Sequence, residues 1–315
     1  EVGGSELVET LFAGGYDLII ADFRGGADYI EKNGHALVSL ISALLESPDV
    51  DSIEAIIGPS MGGLVARYGL LFMESFGIPH NTKAVIYLDA PMVGANIPVS
   101  LQGLAHLFTK QSPDLVDLKQ QMSAPAPKEL LLYHVDGIGK ALIARRAYIN
   151  PGPSEDRQTF LQTLARLGDY PSKPQNISIA NGPANGVSDN IAPGQNFLKI
   201  VKARAKLFGI SLPKTEDISF KGVRYGKVMN ITRDFGLGRD IYSEKDCDFI
   251  DSTPGSPFDL EAELTNFETD PNNSGSFCFI PTTSALGITG QAYSLDIMAN
   301  SAPIDPNNPY QGRRM

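Results

Sequence analysis

The chain has almost no cysteine: Cys247 and Cys278 are its only two in 315 residues, and neither stands in a CxxC pair or a Cys/His cluster of metal-site spacing. A multi-bridge scaffold and a cysteine-held metal site are excluded, while the redox compartment stays open. Long apolar runs are also missing. None approaches the roughly 18 residues that would cross a bilayer. Positive charge is in short supply, with 26 Lys and Arg against 36 Asp and Glu and a formal net charge of -10. A nucleic-acid binder needs positive potential over its contact face, so that class is set aside. Histidine is scarce too: His35, His80, His106 and His134 are all there are. No repeat or low-complexity tract appears.

What is present suits a globular domain, because 42% apolar residues over this length can fill one large core with insertions or two modest ones. Short β-rich runs apolar on both faces occur at 16–23 (YDLIIADF), 53–58 (IEAIIG), 84–90 (AVIYLDA), 176–182 (NISIANG) and 277–282 (FCFIPT). Such runs suit strands of a parallel sheet buried between helices. Helical patterns lie between them, over 5–13, over 28–46 with Leu37, Leu40, Ile41, Leu44 and Leu45 on one face, and over 61–77. The alternation predicts an α/β fold, a doubly wound and mostly parallel sheet.

The expected organisation is a core over 1–95, a lid- or cap-like helical insertion over 96–175, and remaining core strands over 176–315 with a second insertion at 182–275. Connections of that length hold extra elements or form lids. Helices are expected at 112–122, 157–168 and 196–208, the last with Lys199, Lys202, Arg204 and Lys206 on a solvated face.

One motif carries chemistry. Gly58-Pro59-Ser60-Met61-Gly62 falls where an apolar strand gives way to an apolar helix, the context a G-x-S-x-G nucleophile turn requires. The turn must be so tight that a Cβ at either flanking glycine, Gly58 or Gly62, is expected to collide with a neighbouring element. Ser60 Oγ would then stand off the sheet edge, and Met61 N–H would lie where an oxyanion develops.

Around this motif the chain resembles a known group. GPSMGGLVARYGL is similar to the elbow of α/β-hydrolase-fold lipases and esterases, YLDAPMVGANIPVSLQ to their next strand, and FCFIPTTSAL to a late V-P-x-x-S-A stretch. The likeness covers 5–95 and 275–290, and the chain resembles a group of lipase-like proteins found in Bacteroidetes. It differs at Met92, where those proteins often carry histidine. The resemblance implies a serine hydrolase cleaving carboxylic esters, an apolar or lipid ester as substrate, and an extracytoplasmic location. No cofactor is implied, since positioned side chains and dipoles suffice.

A serine is a weak nucleophile and needs a base oriented by a carboxylate, in the chain order Ser, acid, His for this fold. Asp89, at the carboxyl end of the strand after the elbow strand, is the leading acid, and Asp189 is the alternative. His35 and His80 are poorly placed to be the base, and His106 and His134, in an insertion that could fold over the site, are read first as structural imidazoles. The resemblance puts the histidine after the last strand, yet residues 287–315 hold none. The expectation is a chain truncated at both ends with its histidine beyond Met315, or a protein that has lost its base. A catalytically inactive binding or scaffold module and an acyltransferase are the two rival readings.

Three other features are read as structural. DPNNSG (270–275) lacks the twelfth-position glutamate of a calcium loop, because Pro281 stands there, so no metal is expected. DCDFID (246–251 with Lys245 before it) is read as a solvated acidic loop. Asp22, Arg24 and Asp28 are read as a structural ion-pair group.

Overall fold

The computed structural model describes residues 6–107, 119–143, 146–187, 195–200, 206–207, 210–211, 217–221, 226–232, 239–243, 251, 253–259 and 275–289. After α1 (Glu6–Ala13), the chain runs through α2 (Ile30–Leu45), β1 (Ile53–Pro59), α3 (Met61–Ser75) and β2 (Thr82–Leu88). α2 forms where leucine and isoleucine recur at helical spacing, and it buries Ile30, Leu37 and Ile41. α3 is buried over most of its circumference, including Leu64, Val65, Tyr68, Leu70, Leu71 and Met73. It is wedged between α2 and the sheet. Its end follows from the backbone: Gly77 takes φ +66°, and Pro79 bars a further turn.

β1 and β2 are parallel neighbours in the register Gly58↔Tyr87 and Pro59↔Leu88. β5 (Gln175–Ile179) joins β2 on its other side, also parallel, giving a three-stranded sheet in the order β1-β2-β5. Val85 and Tyr87 are fully buried, whereas the alternate residues Ala84, Ile86 and Leu88 are half-buried. The core therefore lies on one face of the sheet, between it and the layer of α2, α3 and α6 (Glu155–Leu167). α6 starts with a side-chain cap from Ser154 to Arg157 N–H and stops at left-handed Gly168, and it contributes Phe160 and Leu164 to the core.

The expected strand at 16–23 does not form. The segment is irregular, with Tyr16, Leu18, Ile19 and Ile20 exposed. A β-prone run becomes a strand only with a partner to take its backbone bonds, and no ladder reaches it. The helix expected over 196–208 is also overturned. Residues Asn196–Ile200 are β6, antiparallel to β9 (Asp217–Lys221), and Lys206–Leu207 is β7 in a short ladder with β8 (Ile210–Ser211). A short, mostly apolar run such as residues 197–200 suits a strand as well as a turn of helix, and periodicity does not separate the two.

The two insertions are not separate units. The first contains α4 (Val99–Leu107), α5 (Pro125–Leu130), β3 (Ile138–Ile143) and β4 (Arg146–Ile149). The second adds β10 (Gly226–Thr232) and β11 (Arg239–Ser243), and together they build a six-stranded sheet in the order β3-β4-β11-β10-β9-β6. Only the β4–β11 pair in it is parallel. α4 covers this sheet, over buried Ala147, Ile149, Leu198 and Ile241. The late strand expected at 277–282 does form, as β13 (Ser276–Pro281), but outside the parallel sheet. It makes an antiparallel hairpin with β12 (Gly255–Asp259) and leads into α7 (Thr282–Ala285). Among the described residues no helix is long and apolar enough to cross a membrane.

Candidate active site

Ser60 sits between β1 and α3 with φ 48° and ψ −127°, a region a residue with a Cβ rarely enters, and its side chain is exposed. Such a conformation costs on the order of 1–3 kcal/mol and persists only where neighbours over-determine it. Here Ser60 N–H donates to Leu88 O at 2.9 Å, and Ser60 O accepts from Gly63 N–H at 3.0 Å. Helix geometry leaves the first amides of α3, those of Met61 and Gly62, without acceptors inside the helix. The positive end of α3 and an exposed hydroxyl thus meet at the carboxyl edge of the sheet.

The glycines of the motif do not share the load as expected. A Cβ on Gly58 would lie 2.6 Å from the backbone of Gly62 and Gly63, and one on Gly63 2.5 Å from Ala90 Cβ. A Cβ on Gly62 would touch only Pro59 Cδ, at 3.4 Å, an ordinary contact. The sterically obliged pair is therefore Gly58 and Gly63, and the expectation for Gly62 is corrected. Gly63 is the position where the helix meets the next strand's exit, a contact no local pattern reveals.

Asp89 follows β2 directly, so the register that pairs Pro59 with Leu88 sets it beside Ser60 on the adjacent strand. It is buried, holds φ 48°, and donates its own N–H to Ile179 O at 2.6 Å. Its Oδ1 accepts from Asn181 N–H at 3.0 Å, and its Oδ2 accepts from Ser256 Oγ. Neither Asn181 nor Ser256 was foreseen. Both arrive from far along the chain, after β5 and on β12. The alternative acid, Asp189, lies outside the described residues.

None of the four histidines bonds to Ser60 or Asp89. His35 is exposed on α2, with Nε2 3.2 Å from Tyr68 Oη. His80 lies at the start of β2, the opposite edge of the sheet, with Nε2 3.4 Å from a Glu74 carboxylate oxygen, and burial lowers its pKa. His106 Nε2 contacts Val135 O at 2.8 Å, and burial lowers its pKa as well. His134 Nε2 contacts Met122 O at 2.9 Å, and its Nδ1 lies 2.9 Å from Asp136. All four have structural partners.

The acidic groups differ from their sequence readings. Asp28 pairs with Lys32, one helical turn on, rather than with Arg24. Asp251 is buried rather than solvated; burial pushes its carboxyl up to about 6, and Asn96 Nδ2 donates to it at 3.0 Å. Glu129 on α5 is buried against Glu31 and accepts from Ile30 N–H at 2.7 Å. Burial and the neighbouring Glu31 raise its carboxyl to about 9. Among the described residues no group of three or more His, Cys, Asp and Glu side chains is placed to hold a metal ion. No protein-family model, curated protein or solved structure matches this chain.

Proposed function

We propose that the protein is a serine hydrolase of carboxylic esters, lipase- or esterase-like, built on an α/β-hydrolase frame and working through an acyl-enzyme on Ser60. The observation that carries this reading is the backbone of Ser60, strained at φ 48° between a strand and a helix, with the residue exposed at the N-terminus of α3. Strain of this kind clusters at functional sites because it aims a reactive group. Oγ attacks the acyl carbon and passes its proton to a base; the carbonyl oxygen gains charge beside Met61 N–H, where the helix dipole favours it. The C–O bond to the alcohol then breaks, the alcohol takes the proton, and water cleaves the acyl-serine by the same steps in reverse. Asp89, one strand over and fixed by Asn181 and Ser256, is the carboxylate that orients the base.

A second reading has its own observation. All four histidines are engaged elsewhere, as an inert binding module that keeps the turn without the chemistry would have them. Labelling with a fluorophosphonate probe separates the two, since the probe needs an activated hydroxyl. The hydrolase reading expects one label per chain, abolished in Ser60→Ala, together with release of p-nitrophenol from p-nitrophenyl esters. A folded wild-type chain that takes no label supports the binding module. Product analysis with added acceptor alcohols tells hydrolysis from acyl transfer.

A further inference from the structure

The turn that follows Asp89 is held by side chains from three helices. Arg67 of α3 donates from Nη1 to Met92 O at 3.2 Å, and Arg157 of α6 donates from Nη2 to Val93 O. Ser284 of α7 accepts from Val93 N–H at 3.1 Å and donates to Gly94 O at 2.7 Å. Gly94 itself holds φ +128°, and a Cβ there would lie 2.7 Å from Arg157 Nη2. Arg67 is 3% exposed. It also donates from Nε to Asp169 O at 2.6 Å, pairs with the Asp169 carboxylate at 2.5 Å, and stacks over the Tyr170 ring at 3.9 Å.

A lone charge in the apolar helix GGLVARYGLLF needs a reason, since burying it costs unless every donor is satisfied. Its fixed fork spans two chain segments, the turn after β2 and the loop that leads from α6 into β5. Arg67 stands seven residues after Ser60, two turns or about 10 Å along the same helix. It therefore ties the helix that begins at the nucleophile to the turn that leaves the acid. Asp89 is itself strained at φ 48°, so its place depends on what surrounds it.

We infer that Arg67 is a positioning residue, which sets Asp89 relative to Ser60 by clamping the Met92 carbonyl to the nucleophile helix. The inference rests on the ester-hydrolase reading and adds to it a part of the machinery that touches no substrate. Misplacement of a catalytic group by about 1 Å can cost on the order of 100-fold in rate, so a loosened turn acts on turnover more than on binding.

The test is ester turnover and fluorophosphonate labelling of the full chain as wild type, Arg67→Met, Arg67→Lys and Asp169→Asn. Arg67→Met is expected to lower kcat by about 10-fold or more with KM within about twofold. Arg67→Lys, which keeps a cation but loses the fork, falls between it and wild type, about threefold down. Asp169→Asn removes the exposed charge, keeps an acceptor for Arg67 Nη2 and suits the left-handed backbone at φ 67°, so kcat stays within about twofold. An Arg67→Met protein with a lowered Tm and unchanged kcat overturns the inference. So does an Arg67→Lys kcat equal to wild type, which decides the matter if Arg67→Met does not fold. A wild-type chain without label or turnover sinks the hydrolase reading and the inference with it; an active wild type with undiminished Arg67 variants sinks the inference alone.

Discussion

The parallel sheet β1-β2-β5 and the six-stranded sheet of the insertions are built on opposite plans. In the first, β1 and β2 are joined by one crossover through α3, and each of these two strands holds a short apolar run, residues 55–57 and 84–88. In the second, β4 pairs with β11 across more than ninety positions, as Arg146 with Asp240, and β6 closes an edge by pairing with β9. Local pattern reports the first plan because strand, turn and helix follow one another in space as in sequence. It fails for the second, since pairing partners distant in the chain are set by the tertiary fold. The candidate chemistry belongs to the first region, where a single turn dictates geometry.

The sharpest way to break that contrast is at the turn. Gly58→Ala and Gly63→Ala each force a Cβ into backbone or a core methyl at 2.6 and 2.5 Å, and loss of about 3 kcal/mol or failure to fold is expected. Gly62→Ala meets only Pro59 Cδ at 3.4 Å and is expected to stay within about 1 kcal/mol of wild type. Urea denaturation of the three proteins reads the difference. Equal losses in all three would mean the turn is not held by those contacts.

Core truncations come next. Leu70→Ala and Ile241→Ala both empty fully buried sites and should each cost about 2–5 kcal/mol. Their reach differs. Hydrogen exchange should show Leu70→Ala loosening β1 and β2, and Ile241→Ala loosening 146–149 and 239–243 while β1 keeps its protection. Uniform loss of protection in both would make the two sheets one cooperative unit.

Glu129 gives a pH-dependent version of the same comparison, because it docks α5 of the insertion onto the start of α2. Its folded pKa, about 9, lies above the ordinary 4.5, so the folded state favours the protonated form. Its contribution is fully present below pH 4.5 and is lost as pH rises towards 9. Glu129→Gln removes the titration and keeps an acceptor for Ile30 N–H, so its Tm should fall less than that of wild type between pH 5 and 9, a range set by those same values. A parallel decline in the two proteins would refute the burial of that carboxyl. The smallest effect is expected on β1, an end strand of the sheet among the described residues: Ile57 is 43% exposed, and Ile57→Thr should change stability by about 0.5 kcal/mol or less.

Periodicity of apolar residues made α2, α3 and α6 legible, along with β1, β2 and β5, and the strand-to-helix context singled out Ser60. The segment 16–23 has the composition of a buried strand, yet a ladder needs a neighbour that composition cannot supply. Asp251 looked like part of a solvated acidic loop; Asn96, 155 positions earlier, accompanies it into the interior. Arg67 left a signal, a charge amid apolar helix, whose partners at Met92 and Asp169 no spacing could name.

The order of residues by itself determined where helices and core strands arise and which serine stands at a sharp bend, because these depend on side chains within a turn or two of one another. Only the tertiary structure decided which glycines the bend requires, what grips Asp89, and how two insertions share one sheet. Apart from the Gly58 contact inside the bend itself, those outcomes depend on close approach between segments from 27 to 167 positions apart, as Gly63 with Ala90 and Asp89 with Ser256, a distance over which local propensity carries no information.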